Sequence, residues 1–293
     1  MTSSSLLLNL LVEGVVQGCI YALLAVGFSF LWWVSGIVHL AHGGVTLAGG
    51  LVVYLIFEVF GVPLFAAIAA GVAGAIALGL LINSAIYAPL LWRKTDEMGL
   101  LTASLGALIV IEYLLTIGFG PDGVTLDAST WRRPIFSAYL PVFDRFSVLI
   151  LSCTALTFFA LHLLMARTEL GRRLRAVAAN PELAQIVGVQ TSATIRHATA
   201  LAALLSMPAA VFLLFSTGLA PNEALHLVLV SAVIAIIGGR GSLIGALVAG
   251  LAMGIAESVA SWQLSTGWRQ LVTFSFLYLV LLARPQGLFA KSA

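Results

Sequence analysis

Apolar positions in this chain do not alternate, and they do not keep to one helical face. They run on without interruption. Charge-poor stretches occur at about 14–34, 45–59, 64–91, 100–118, 147–166, 197–219, 225–239, 242–260 and 269–283. A bilayer core about 30 Å thick takes roughly 20 apolar residues in helix, so these runs predict membrane-spanning helices. Residues 6–13 read as a lead-in lying along the interface. Several later runs are short for a full crossing and are cut by glycine. Such broken or re-entrant helices require their freed backbone groups to face protein or a wet cavity. The expected fold is therefore an all-α polytopic membrane protein with about 8–9 transmembrane helices, forming one domain over residues 1–293.

Composition removes the soluble alternatives. Hydrophobic residues make up 61% of 293 positions, charged residues 9%, and mean hydropathy is +1.09; a soluble domain carries about 25% charged residues. The net charge of +2 matters less than its placement. Lys and Arg near span ends mark cytoplasmic loops. "WRKTDEMG" after residue 91, Arg167, Arg172, Arg173 and Arg175 after residue 166, and Arg284 and Lys291 at the end are all basic. Placing them inside agrees with nine crossings and an outside N-terminus. Arg132, Arg133 and Arg145 run against this order, since alternation puts residues 119–146 outside. The N-terminal "MTSSSLLLNLLVE" lacks the basic region of a cleavable signal, so the first apolar run is expected to be retained. Cys19 and Cys153 lie in apolar stretches and form no disulfide framework or paired metal spacing.

Small residues recur at close spacing: Gly14 and Gly18, Gly71 and Gly74, Gly241 and Gly245, Gly250 and Gly254. In lipid, such residues supply packing energy by letting helices approach closely. A glycine-rich polar break precedes a small-residue helix twice, in "GIVHLAHGGVTLAGGLVVYL" and in "AIIGGRGSLIGALVAGLAMGI". Paired breaks of this kind point to an inverted repeat around a transport path.

The longest polar element is residues 166–197, "ARTELGRRLRAVAANPELAQIVGVQTSATIRH". Leu174, Val177 and Ala178 recur at helical spacing, and Gly171 offers a flexible lead. Asn180-Pro181 marks a turn, with Asn180 as cap and Pro181 as first residue of a second short helix that Gly188 ends. A short amphipathic helix jutting from a bundle suits docking into a groove on a soluble partner. The alternative is a basic anchor that binds only lipid headgroups.

Thr168, Gly171, Arg172, Arg175, Ala176, Asn180, Ala184, Gly188 and Val189 resemble the cytoplasmic signature of permeases from the branched-chain amino-acid type of ABC importer. "GCIYALLAVGFSFLW" with "HLAHGG" is similar to that family's first helix and its Ala-His-Gly element. "GGRGSLIGALVAGLAMGIAES" resembles its late glycine-rich helix, ending in Glu257, and "ARPQGLF" resembles its C-terminal tail. Four positions depart from the family pattern. His39 replaces an asparagine, Gly44 stands where an acid is common, Ile244 replaces a proline, and Pro208 interrupts a helix. The resemblance implies a multi-pass subunit of the bacterial inner membrane, with no catalytic residues and no nucleic-acid partner. Two permeases would pair, commonly as a heterodimer, above two cytoplasmic ABC ATPases, with a periplasmic substrate-binding protein delivering solute. It also implies that Gly171, Arg172, Arg175, Ala176, Asn180, Ala184 and Gly188 couple to the ATPases. The chain has no G-x-x-x-x-G-K-[ST] phosphate loop, so ATP and Mg would be bound by those separate chains.

Polar groups inside spans are functional candidates by default. His39, His42, Gln17, Glu112 and Glu257 are taken as translocation-pathway residues, with Asn83 as a neutral companion. Glu112 has a competing reading as a desolvated, protonated acid, and Glu257 as a group bonding backbone freed at a helix break. An i, i+3 histidine pair is a possible ligand pair, but zinc needs three or four ligands. No H-E-x-x-H or cysteine cluster supplies the rest, so no metal is expected. The pair is expected in the break between the first two spans, bonding exposed carbonyls. Because Ala41-His42-Gly43 matches the family element, His42 is assigned to structure and His39 to solute contact. A proton-coupled carrier using Glu112, His39 and Glu257, and an intramembrane enzyme, are the competing classes. The organised cytoplasmic segment favours the importer.

Overall fold

In a computed structural model, which describes residues 3–129, 144–239, 241–263, 268–284 and 287–289, each apolar run is helical. The helices are α1 (Ser3–Ser35), α2 (His42–Tyr54), α3 (Leu64–Ile82), α4 (Ala88–Trp92), α5 (Glu97–Phe119) and α6 (Arg145–Arg167). They continue with α7 (Glu169–Ala179), α8 (Pro181–Ile186), α9 (Thr191–Ser216), α10 (Ala224–Gly238), α11 (Leu243–Gln263) and α12 (Arg269–Ala283). A π-helical turn, Leu55–Val59, extends α2, and another, Asn83–Tyr87, joins α3 to α4. Among the described residues, 8 helical stretches are long and apolar enough to cross a membrane, and Leu271–Ala283 is a shorter apolar helix.

Burial identifies the centre. In α1, 83% of the most apolar stretch is buried, against 22% in α6 and 28% in α5. α1 packs against α11, α9, α10, α6 and α7, and its small residues explain how. A Cβ on Gly254 would lie 2.2 Å from Gly18 N, and one on Gly18 would lie 2.7 Å from Leu251 Cα. The two backbones therefore touch, which is the packing that lipid-embedded helices use. α3, α5 and α6 instead present Phe65, Ile109, Tyr113, Ile117, Leu156 and Phe159 outward.

Polar caps set the helix starts at the loops. Asp96 accepts a bond from Gly99 N at 3.1 Å, and Asp144 one from Ser147 N at 2.7 Å. Away from the helices, the β pairing among the described residues is a single antiparallel bridge, Val124 to Leu219. It ties the loop after α5 to the connection between α9 and α10.

Three expectations need correction. Residues 6–13 do not form a separate interfacial lead-in: they are the early turns of α1 itself. The helix continues through Glu13 to Gly14, which packs on Ile255, and the Leu10 carbonyl accepts a bond from Ser258 of α11. Pro208 does not interrupt its helix, since α9 runs unbroken through it; buried Met207 and Ala209 on either side hold the segment in place. Gly171 is no flexible lead. It lies buried inside α7, where a Cβ would meet the carbonyl oxygens of Leu164 and Met165 at 2.4 and 2.6 Å. Its task is close approach. Arg132 and Arg133 lie outside the described residues, as do Lys291 and Arg240.

Candidate functional site

Two regions concentrate polar side chains: the break between α1 and α2, and the α7–α8 segment. α1 ends at Ser35, and residues 36–41 cross to the start of α2 without regular structure. His39 and His42 are therefore not on one helix. His39 precedes α2, and His42 is its first residue. Both are buried, and their rings meet edge to face with centroids 5.9 Å apart.

His39 Nδ1 is 2.5 Å from Tyr87 Oη, Tyr87 Oη is 2.7 Å from Ser104 Oγ, and Ser104 Oγ accepts a bond from Ala41 N at 3.1 Å. A one-way chain accounts for each proton: Ala41 N–H donates to Ser104, Ser104 to Tyr87, and Tyr87 to His39. Burial makes such completeness matter, because an unpaired polar group costs its full desolvation. The expected carbonyl partners are not what His39 finds; it bonds a phenol. His42 has Phe28 at its edge, 6.2 Å between centroids, and its Nε2 has no hydrogen-bond partner among the described residues. Gly27 makes room for it, since a Cβ there would sit 3.0 Å from His42 Cε1.

The other pathway candidates lie apart. Gln17 is half-buried on α1, and Glu112 is half-buried on α5. Glu257, buried on α11, accepts bonds from Tyr21 Oη at 2.6 Å and Thr273 Oγ1 at 2.5 Å. These are side chains of α1 and α12. The bonds Glu257 makes here come from hydroxyls of two other helices. No hydrogen bond or ring contact among the described residues joins Glu112, Glu257 and His39. Nor does any group of three or more His, Cys, Asp or Glu among those residues sit where it could hold a metal ion.

Elsewhere among the described residues, two bonds between side chains cross between helices: Thr46 Oγ1 to Ser206 Oγ at 2.9 Å, and Asn83 Nδ2 to Thr199 Oγ1 at 3.0 Å. Gly44, where an acid is common, faces Ile111, and a Cβ would already come within 3.1 Å of it.

In the second region, Thr168 caps α7 by accepting from Gly171 N at 3.0 Å. Asn180 caps α8 by accepting from Glu182 N and Leu183 N at 3.0 and 2.9 Å. Pro181 stands first in α8, and Gly188, at φ +86°, terminates the segment. The apolar face of α7 is not free. Leu174, Val177 and Ala184 are buried in a hydrophobic cluster with Phe30, Leu31 and Met165. Apolar surface near a bundle is consumed by the bundle first. What remains outward is Leu183, Ile186 and Val187, exposed by 59%, 79% and 74%. Ala176 is half-buried and Arg172 is exposed. Arg173 bonds Glu169 at 2.6 Å. Arg175 edges a cavity of about 160 Å³ that reaches Trp33, Met165, Ser242 and Ala246.

Sequence reasoning missed Tyr87 and Ser104. Tyr87 closes a π-helical turn, a feature that often marks functional positions but leaves no residue signature.

Residues 10–281 match the family described as branched-chain amino acid transport system / permease component. The chain is 29% identical over 294 residues to the high-affinity branched-chain amino acid transport system permease protein LivH of Escherichia coli K12, covering 95% of this chain and 94% of that protein. It is 28% identical over 296 residues to the corresponding permease protein BraD of Pseudomonas aeruginosa, covering 97% and 96%. Among solved structures it is similar to PsaBC from Streptococcus pneumoniae in complex with Fab, with a TM-score of 0.52 and 14% identity, over 94% of this chain and 91% of that one. That last likeness is one of fold.

Proposed function

The chain belongs to the family of permease components of branched-chain amino-acid transport systems, and from that premise we propose that it is the transmembrane permease subunit of an ATP-driven importer. It moves a small polar solute, a branched-chain or other amino acid, into the cytoplasm across the bacterial inner membrane. The observation that carries this is the match over residues 10–281. It is supported by the capped α7–α8 segment, which leaves Leu183, Ile186 and Val187 uncovered and Arg172 exposed.

The chain does no chemistry of its own in this reading. Two cytoplasmic ATPases bind ATP and Mg, a second homologous permease completes the path as a heterodimer, and a periplasmic binding protein delivers the solute. The α7–α8 segment, with Gly171, Arg172, Arg175, Ala176, Asn180, Ala184 and Gly188, meets the ATPase. His39, His42, Gln17 and Glu112 belong to the pathway wall, and Glu257 braces it.

Reconstitution tests this. Purified with its partner chains and placed in liposomes, the complex should give one-way uptake that needs both ATP and the binding protein. Uptake that survives ATPase inactivation and collapses with an uncoupler would establish a proton-coupled carrier instead.

A further inference from the structure

Residues 36–41 have no regular structure, and their local bonds reach only α1, α2 and one another: Gly36 N to the Trp32 carbonyl, Ile37 N to Ser35 Oγ, Leu40 N to the Val38 carbonyl, and the His39 and Ala41 carbonyls to the start of α2. Among the described residues, two hydrogen bonds tie this stretch to helices beyond α1 and α2. One is His39 to Tyr87, and the other is Ala41 N to Ser104. Tyr87 and Ser104 are bonded to each other, so both ties converge on one phenol.

These two residues stand on either side of a tight connection. Tyr87 closes the π-helical turn that leads into α4, and Ser104 lies in the second turn of α5. Between them, residues 93–96 form the short turn that carries Arg93 and Lys94, capped by Asp96. Two basic residues at a span end mark this turn as cytoplasmic. The π-helical turn matters for aim: an extra residue in one turn rotates whatever follows, and Tyr87 is the first residue placed by it. Beyond the break, the first turn of α2 is wedged tightly. Gly43 lies against the Ala224 carbonyl of α10, and Gly44 against Ile111 of α5. Close-packed interiors transmit displacement, so a shift of residues 36–41 reaches α10.

We propose that Tyr87 is a positioning residue for transport, through which the α3–α5 hairpin holds and moves the break between α1 and α2. This rests on the permease reading above. The cytoplasmic turn at residues 93–96 is then a second point, besides α7–α8, where motion of the ATPases enters the membrane domain. Displacing the hairpin carries Tyr87 and Ser104 together, and the two anchored points of the break, His39 and Ala41, follow them.

The test uses the full reconstituted complex and reads solute moved per ATP hydrolysed. Tyr87→Phe removes the hydroxyl and keeps the ring against His39. Losing both of its buried hydrogen bonds, to His39 and to Ser104, corresponds to a fall of about fivefold or more in that ratio. KM for solute should stay at the wild-type value, and the complex should be recovered in full. Ser104→Ala, which withdraws the acceptor from Ala41 N, should act in the same direction. Combining Tyr87→Phe with Ser104→Ala should lose less than the sum of the two single changes, since either one removes the bond they share. A wild-type ratio in both Tyr87→Phe and Ser104→Ala would overturn the proposal. If Tyr87→Phe does not assemble, Ser104→Ala decides alone. Failure of both to reach the membrane would show a folding requirement and overturn it equally. Absence of ATP-driven uptake by the unaltered complex would overturn the permease reading itself, and this inference with it.

Discussion

Glu257 is a buried acid, yet each of its oxygens accepts a hydroxyl bond, from Tyr21 on α1 and Thr273 on α12. A buried hydroxyl that loses its acceptor costs about 1–3 kcal/mol. The acid is therefore well suited to brace the C-terminal helix against the central one. Replacing Glu257 by Leu leaves two buried hydroxyls without their acceptor, and should lower the stability of the detergent-purified protein by about 2 kcal/mol or more and expose α12 to protease. Glu257→Gln keeps one acceptor oxygen and should retain most of the stability. If instead Glu257→Gln changes KM for solute while melting normally, the residue contacts the solute and bracing is secondary. Nothing near Glu257 in the chain pointed to its partners, because Tyr21 lies 236 positions away. Separation in sequence likewise hid Tyr87, 48 positions from His39, and Ser104, 63 positions from Ala41.

The elements themselves were legible, for a physical reason. A bilayer demands long apolar helices, and it leaves glycine-rich breaks as the places where a helix stops. Both kinds of signal are local, so the runs at 64–91 and 147–166 correspond to α3–α4 and α6, and the break at residues 36–41 falls between two runs. Caps are local too, which is why Asn180 and Pro181 behave as read. What local reading cannot supply is which face of an amphipathic helix its own bundle will use. Leu174 and Val177 pointed to a docking face and instead fill the interior. This moves the coupling prediction to α8. Ile186→Asp should remove an apolar side chain that partner docking would bury, and a buried side chain of that kind contributes about 1.5–3 kcal/mol. ATPase recovery with the purified permease should fall by about tenfold or more, while the permease still melts as the wild type does. Gly171→Ala should do the opposite. Its Cβ overpacks the α6–α7 corner against backbone oxygens 2.4 and 2.6 Å away, at about 1–3 kcal/mol. It should destabilise the permease and leave the α8 surface chemically intact. Full ATPase recovery with Ile186→Asp would make α8 a lipid-facing anchor.

At the scale of the whole molecule, the helix order and most of the charge distribution agree on one orientation, with Arg132, Arg133 and Arg145 between α5 and α6 as the exception. The turns at residues 60–63, 120–129 and 217–220 contain no Lys or Arg, whereas residues 93–96 carry Arg93 and Lys94, and residues 167–175 carry four arginines. Walking the helices in order places the first group on one side and the second group on the other. The bias toward cytoplasmic Lys and Arg then fixes which side is inside. At the cytoplasmic end the last described residues close the bundle: Leu288 N donates to the Ile237 carbonyl at 2.7 Å, satisfying an orphan acceptor at the end of α10. Thiol labelling checks the arrangement directly. Cys19 is buried in α1 and Cys153 is half-buried in α6, so both can first be changed to Ser without altering the loops. Single cysteines at Gly61 and Ser129 should then react with a membrane-impermeant maleimide on intact cells. Single cysteines at Lys94 and Val187 should react only after the membrane is opened. Labelling of Lys94→Cys or Val187→Cys on intact cells would invert the molecule. It would also place the α3–α5 turn and the α8 surface where no cytoplasmic ATPase can reach them.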